Sequence, residues 1–507
     1  MVKFKIDVYS HGVRIRIHYP NEREAILRYC ERLAIYESVW VPKLKRRVRR
    51  AKAVFATATH DRKEFGFLKA EFTKVEEYLK GLGYKDSDFQ YTYHEPIEGV
   101  PIEIALQKGV GPRDDGQVRA LEFMRNAEAK NRILNLPTGY GKTACGLITT
   151  AHYKVRTAFV MASGHFKTWI DSTKWVLDID HSKDICVVQG REHLVRLVRL
   201  SLAGQNDYKL IFISIATIRA FLKDYLAEGY TVEGVSPYEL FPTLGVGMRI
   251  VDESHENIHA LVTATTFTHV RRAIYLSATL VSEDEKINSQ YLKIFPMEDR
   301  FKDVTENDHA KCVSVTYRLE HPDKVKCTGT KGYSHVAYEQ WLMANRIAES
   351  RYYEFIESLV EAKFVSEYQD EQKLLIFCAT TEMCERLASR LSKLYPQFKT
   401  SAYTASYAAE VLYSNDIIVS TPTSAGTGKD IPNLKTCIST VAIGSVQRNL
   451  QMLGRLRPIK KYPNIAPTYY WLTCLDIQQH REYDARKREQ FAGKCASIED
   501  MPTNVVV

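Results

Sequence analysis

Residues 131–153 put an apolar strand directly before a glycine-bearing loop and a helix, an order that few architectures accept. Ile133, Leu134 and Leu136 run into Pro137-Thr138-Gly139-Tyr140-Gly141-Lys142-Thr143 without a spacer. Gly139 and Gly141 let the backbone turn its N–H groups toward one point, and the helix opening at Ala144 adds its positive end there. Such a loop cradles phosphate. Lys142 then reaches the β and γ groups of a nucleoside triphosphate, and the Thr143 hydroxyl is set to ligate Mg²⁺. The general pattern G-x-x-x-x-G-K-[ST] begins with a glycine where this chain has Leu136.

The flanking sequence supplies a sheet for this loop. Across residues 106–285 the runs RILNL, TAFVMA, ICVVQ, LIFISI, RIVDE and AIYLSA alternate with helical stretches. Across 341–507 the alternation resumes with KLLIFCA, DIIVST, TCISTV and YYWLT. The fold class is therefore α/β, two tandem mainly parallel sheets covered by helices. Residues 286–340 read as a connecting segment. Residues 1–105 read as a small α/β unit, with a hairpin around His11-Gly12, a helix capped by Asn21 and a second helix from about Thr73. Between those helices lies VPKLKRRVRRAK. As a strand it sets Lys43, Lys45, Arg47 and Arg49 on one side.

Composition narrows the class. Hydrophobic residues are 45% and charged residues 26% of 507, as in ordinary globular proteins. The net charge of +9 suits a polyanionic partner. The ten cysteines form no C-x-x-C pair, which argues against zinc and thioredoxin-type chemistry. The N-terminal region alternates like a strand and carries no signal-type apolar run, and no stretch approaches a membrane span. A soluble, cytoplasmic protein is expected.

Two further strand ends carry chemistry. In MRIVDESH an apolar strand ends at Asp252-Glu253, where an open α/β sheet places its reactive groups. Asp252 would hold Mg²⁺ through water, and Glu253 would orient and deprotonate an attacking water. A second strand ends at Ser277-Ala278-Thr279. Upstream, the Gln117 amide can donate and accept at once, as adenine requires.

Together these strings resemble a known family. P-T-G-x-G-K-T resembles motif I of superfamily-two helicases, in which the first loop glycine is often absent. DESH resembles the DExH box, Ser277 to Thr279 resembles motif III, and Gln117 resembles the Q-motif glutamine. Arg113 stands one residue farther from Gln117 than the family pattern has it. In the second block, residues 373–379 with Thr380 resemble motif IV, and IIVSTPTSAGTGKD resembles motif V. Gln451-x-x-Gly454-Arg455 resembles the opening of motif VI. The family continues to an arginine where this chain has Pro458, with Arg457 one position early. Residues two apart on a helix face different ways, so Arg455 is the expected arginine finger and Arg457 its partner.

The resemblance covers residues 111–458. It implies two RecA-like domains behind the small N-terminal domain, with ATP and Mg²⁺ as cofactors. Nucleotide contacts fall on Arg113, Gln117, Pro137, Thr138, Gly139, Tyr140, Gly141, Lys142, Thr143 and Ala144, and on Gly428 and Asp430 at the interdomain cleft. Catalytic roles fall on Lys142, Asp252, Glu253, Arg455 and Arg457. His255, Ser277, Thr279 and Gln451 would couple hydrolysis to strand movement. Strand contacts fall on His165, Lys167, Thr217, Thr380 and Thr421. Ser163, Trp169 and Ser214 lie in the same regions, with Trp169 also readable as core. The basic residues Lys45, Arg46, Arg47, Arg49 and Arg50 would meet duplex or junction DNA, and a helix over 480–490 is a second basic candidate. The Gln451-led motif VI looks like the RecG, UvsW and restriction-translocase branch, and the compact architecture resembles phage UvsW-type helicases. The oligomeric state is open, with a monomer favoured, and the expected location is the cytoplasm, the host cell's if the chain is viral. The motor would act on single-stranded, forked or four-way DNA or an RNA–DNA hybrid, in branch migration, fork regression and loop removal. An RNA helicase, or a DNA-binding scaffold with a weak ATPase, remains open from the residues alone.

Overall fold

The computed structural model describes residues 2–41, 46–126, 131–136, 140–253, 258–277, 285–301, 309–329, 332–404, 410–425, 431–459 and 461–507. Two compact units result, Met1–Asp303 and Val304–Val507.

Among the described residues the first unit holds two large sheets and two two-stranded pairs. The smaller large sheet has Phe4–Val8 paired antiparallel with Gly12–Ile17 and parallel with Phe89–Tyr93. Glu64–Leu68 and Thr57–Ala58 extend its other side. The first helix is Pro20–Arg32, and it starts without a side-chain cap. Asn21 is therefore not its cap. Pro20 sets the helical φ in the first turn, where no N–H is needed. The second helix, Lys69–Gly81, begins four residues before the expected Thr73, directly off the strand Glu64–Leu68. Among the described residues Ala34–Val41 and Arg46–Val54 pair only with each other, as an antiparallel ribbon outside the sheet.

The larger sheet is six-stranded and wholly parallel. Its order is Ile185–Val188, Leu210–Ser214, Thr157–Met161, Met248–Val251, Arg272–Ser277 and Asn131–Asn135. The central strands are buried on both faces, and their near-continuous apolar runs follow from that. One apolar core joins the two large sheets of this unit: Phe4, Val13 and Phe67 belong to the same cluster as Tyr238, Leu261 and Phe267. Tyr9 stacks on Tyr238 at 4.6 Å, and the Tyr225 hydroxyl donates to Glu64 at 2.6 Å. At Gly12 a Cβ would stand 1.8 Å from the Thr266 carbonyl oxygen, so only glycine allows this approach. The N-terminal sheet is thus a packed layer of the first unit.

The second unit is a seven-stranded parallel sheet. Its order is Thr400–Tyr403, Ile417–Ser420, Lys373–Phe377, Leu434–Ser439, Thr468–Cys474, Lys311–Arg318 and Ser497–Val506. Residues 286–340 therefore do more than connect. They carry the interior strand Lys311–Arg318 and the start of the helix His335–Ala344. Cys312, Val315 and Tyr317 on that strand are fully buried, and its polar flanks masked this in the sequence. Among the described residues no helix is long and apolar enough to cross a membrane.

Candidate active site

Because every strand of the six-stranded sheet runs the same way, the phosphate loop, the acidic pair and Ser277 lie along one edge. Leu136 N–H donates to the Ser277 carbonyl at 3.0 Å, and Asp252 N–H donates to the Val160 carbonyl at 3.1 Å.

Gly141 caps the helix Lys142–Tyr153 with φ +90°, a conformation open to glycine. Across the loop, Gln117 Nε2 donates to the Tyr140 carbonyl at 2.7 Å. Its Oε1 accepts the Arg113 backbone N–H at 2.8 Å, and its own N–H is capped by Asp114 at 2.9 Å. The amide expected to meet adenine is here bound at both ends by the chain, and it clamps the loop. A Cβ on residue 141 would come within 2.5 Å of Gln117 Nε2. The Arg113 guanidinium pairs with Asp114 at 2.9 Å. Lys142 Nζ donates to the Leu136 carbonyl at 2.6 Å, across the mouth of the loop. Thr143 and Ala144 are half-buried in the first helical turn, and Tyr140 is buried. Pro137, Thr138 and Gly139 lie outside the described residues.

The strand Met248–Val251 delivers Asp252 and Glu253. Asp252 Oδ2 accepts the Trp169 indole N–H at 2.7 Å and lies 3.9 Å from His165 Nδ1. Oδ1 accepts the Glu253 backbone N–H at 2.9 Å. Burial by itself would raise this carboxyl. The nearby His165, the Trp169 hydrogen bond and the charge of Lys142 outweigh it and hold Asp252 below the usual carboxylate range. Glu253 has φ +48°, left-handed for a residue with a side chain. That costs about 1–2 kcal/mol and persists where its surroundings dictate it. Thr143 and an ionised Asp252 are hard oxygen donors of the kind Mg²⁺ takes, so the residues present fit that ion. His255 and Thr279 lie outside the described residues, and Ser277 is fully buried.

The expected strand contacts are less open than their positions suggested. Ser163–His165 is a short 3-10 turn leading into the helix Phe166–Val176. His165 faces Asp252, while Lys167 is exposed and pairs with Asp171 at 3.2 Å. Thr217 is buried and accepts the Gly190 N–H at 2.8 Å. Trp169 is 1% exposed, in keeping with the core reading, yet its N–H is spent on Asp252.

In the second unit, Thr380 caps the helix Thr381–Leu394 and its hydroxyl donates to Glu339 at 2.8 Å. Glu339 also accepts the backbone N–H groups of Ala379 at 2.6 Å and Thr380 at 2.8 Å. Burial pushes this carboxyl up to about 7 against those bonds. Sequence reasoning missed Glu339. Its one signal was an acid amid the apolar residues of HVAYEQWLM. Thr421 caps the turn Pro422–Ala425, accepting the Ser424 N–H at 3.2 Å. Gly428 and Asp430 lie outside the described residues. Gln451 is buried in the helix Val446–Leu453. That helix is capped at Gly454, so Arg455 and Arg457 lie beyond it, Arg455 in the turn and Arg457 in irregular chain. The helical-face argument that separated them does not apply. Arg455 is buried and Arg457 half-buried.

On the ribbon, Arg46, Arg49 and Arg50 are exposed, and Arg49 lies 4.0 Å over the Tyr36 ring. The strand starts at Arg46, which puts Arg46 and Arg50 on one face and Arg49 on the other. Lys43, Lys45 and the Arg47 side chain lie outside the described residues. On the helix Gln478–Phe491, Arg481 and Arg486 are exposed. Lys487 is buried against Trp471 at 5.5 Å, and Arg488 pairs with Asp484 at 2.8 Å.

Two parallel sheets in series, with a phosphate-loop strand, turn and helix at the carboxyl edge of the first, define the tandem RecA-like class. A fragment described as the HsdR subunit of a type I restriction enzyme from Vibrio vulnificus YJ016 shares this fold, with TM-score 0.50 and 12% identity over 85% of this chain and 74% of that one. In sequence the chain is similar to the helicase/translocase subunit XPB of general transcription and DNA repair factor IIH from Enterocytozoon bieneusi (strain H348). The two are 22% identical over 479 residues, which covers 84% of this chain and 69% of that protein. T4 UvsW aligns over 99% of this chain and 100% of its own, with 14% identity and TM-score 0.32. No family model matches.

Proposed function

We propose that this chain is an ATP-dependent DNA helicase or translocase of superfamily two that remodels branched DNA, by branch migration, fork regression or removal of R-loops and D-loops. The observation that carries the reading is the pairing at one sheet edge of the Gly141-Lys142-Thr143 helix start with an ionised, doubly held Asp252 and a left-handed Glu253. The similarity to a helicase/translocase subunit supports it.

Lys142 exchanges the Leu136 carbonyl for the β and γ phosphates of ATP. Thr143 and Asp252 would hold Mg²⁺, which when bound would supply charge neutralisation at the phosphates. Glu253 orients the attacking water and takes its proton. Arg455 acts as the arginine finger, a group worth about 10³–10⁵ in rate in related systems, with Arg457 as its partner. His255, Ser277, Thr279 and Gln451 serve coupling. Gln117 holds the loop in shape and turns to adenine when nucleotide enters, and Gly428 and Asp430 complete the nucleotide contacts. Ser163, Lys167, Thr380 and Thr421 meet the strand backbone, contacts that position without reading sequence.

The test is phosphate release from ATP with single-stranded DNA, single-stranded RNA and a four-way junction, followed by dissociation of the junction, a tailed duplex and an RNA–DNA loop. DNA-stimulated release, abolished in Lys142→Ala and strongest with the junction, is expected. Undiminished release in Lys142→Ala would refute the ATP site, and preference for RNA would turn the reading to an RNA helicase.

A further inference from the structure

Trp169 does more than fill the core. Its ring packs 5.2 Å from Phe159, tilted. On another side it meets the phosphate-loop helix at Gly146, where an added Cβ would lie 3.2 Å from the ring. A ring wedged between those elements has one direction for its N–H, and that direction ends on Asp252 Oδ2 at 2.7 Å. With the Glu253 N–H on Oδ1 at 2.9 Å, both carboxylate oxygens are fixed by rigid donors. The contacts with Phe159 and Gly146 are made by the ring's carbons, so packing alone does not call for the indole N–H. His165 approaches the same Oδ2, and it sits in the turn Ser163–His165 directly before Trp169's helix.

We propose that Trp169 is a positioning residue for Asp252, and that Trp169 and His165 together carry the state of the Ser163–His165 turn to this carboxylate. The inference rests on the motor reading above, in which that turn meets the nucleic-acid strand. Strand binding at the turn shifts His165 and, through the helix that follows it, the Trp169 N–H, and so changes how Asp252 Oδ2 is held. Hydrolysis is thereby linked to strand occupancy through the element that touches the strand. The link is direct because the turn carries His165 and the first turn of the next helix carries Trp169.

The experiment uses the full chain labelled with 5-fluorotryptophan, which gives a ¹⁹F signal for each of its five tryptophans. Trp169→Phe removes the indole N–H while keeping an aromatic side chain, and identifies the Trp169 signal by its loss. Titrating Mg²⁺ against a non-hydrolysable ATP analogue should shift that signal. Trp169→Phe should need about tenfold more Mg²⁺ for half-saturation, as removal of a ligand's hydrogen-bond partner typically does. Binding of the analogue without metal should stay as in the parent. A single-stranded DNA oligonucleotide alone should also move the signal, and His165→Ala, at a half-exposed position, should weaken that response even if the tryptophan variant folds poorly. An unmoved Trp169 signal while fluorescence anisotropy reports oligonucleotide binding overturns the link to the strand. Unchanged Mg²⁺ half-saturation in Trp169→Phe overturns the positioning role. Absent oligonucleotide binding refutes the motor reading and the strand link with it, and the Mg²⁺ titration still decides the positioning role.

Discussion

Glu339 shows how much a single buried side chain can organise. Three donors from Ala379 and Thr380 converge on it, and the His335 Nε2 stands 3.9 Å away. Burial raises its carboxyl from the ordinary 4.5 to about 7. The native state therefore holds this proton more tightly than the unfolded chain, and rising pH between those values costs native stability, on the order of 1–3 kcal/mol. Glu339→Gln cannot titrate. Its thermal midpoint should gain on the parent's between pH 5 and pH 8, and midpoint curves that run parallel across that range would refute the assignment. Gly141 and Gln117 make a complementary point. The glycine was readable from the motif, but the amide's present partner, a carbonyl of the same loop, could not be read from spacing.

At the scale of elements, long apolar runs were the most legible part of the sequence. All ten became strands of the two parallel sheets, because strands buried on both faces leave little room for polar residues. What escaped was set by tertiary context. Lys311–Arg318 carries Lys311, Ser314, Thr316 and Arg318 and so reads as mixed, yet it lies between two strands. Arg455 and Arg457 read as helical until Gly454 ended the helix before them. The arginine ribbon Arg46–Val54 is tied at its base, where the Val54 carbonyl accepts from His259 Nε2 at 3.0 Å. Replacing Arg46, Arg49 and Arg50 together by alanine should weaken branched-DNA binding. It should also reduce the slope of log affinity against log salt by about 2–3, near 0.9 per lost phosphate contact. Titrations at several salt concentrations giving the parental slope would remove the ribbon from the DNA interface.

At the scale of the whole molecule, the continuous core of the first unit bears on how separable its parts are. Deleting residues 2–93 would strip Tyr9 from Tyr238 and open the cluster around Leu261 and Phe267. The shortened chain should aggregate or bind a hydrophobic dye, and its thermal midpoint should fall by many degrees. A soluble fragment with the parental midpoint would mean that the N-terminal layer is an appendage after all. The second unit raises a matter of timing. Lys311–Arg318 has both its neighbours far downstream, in Thr468–Cys474 and Ser497–Val506. At about 5–20 residues per second on a ribosome, this strand waits on the order of ten seconds with both edges unpaired. A nascent chain in that interval presents an open strand to its neighbours on the same message, so the rate of synthesis and the holding of the half-made chain decide how much of it reaches the native sheet.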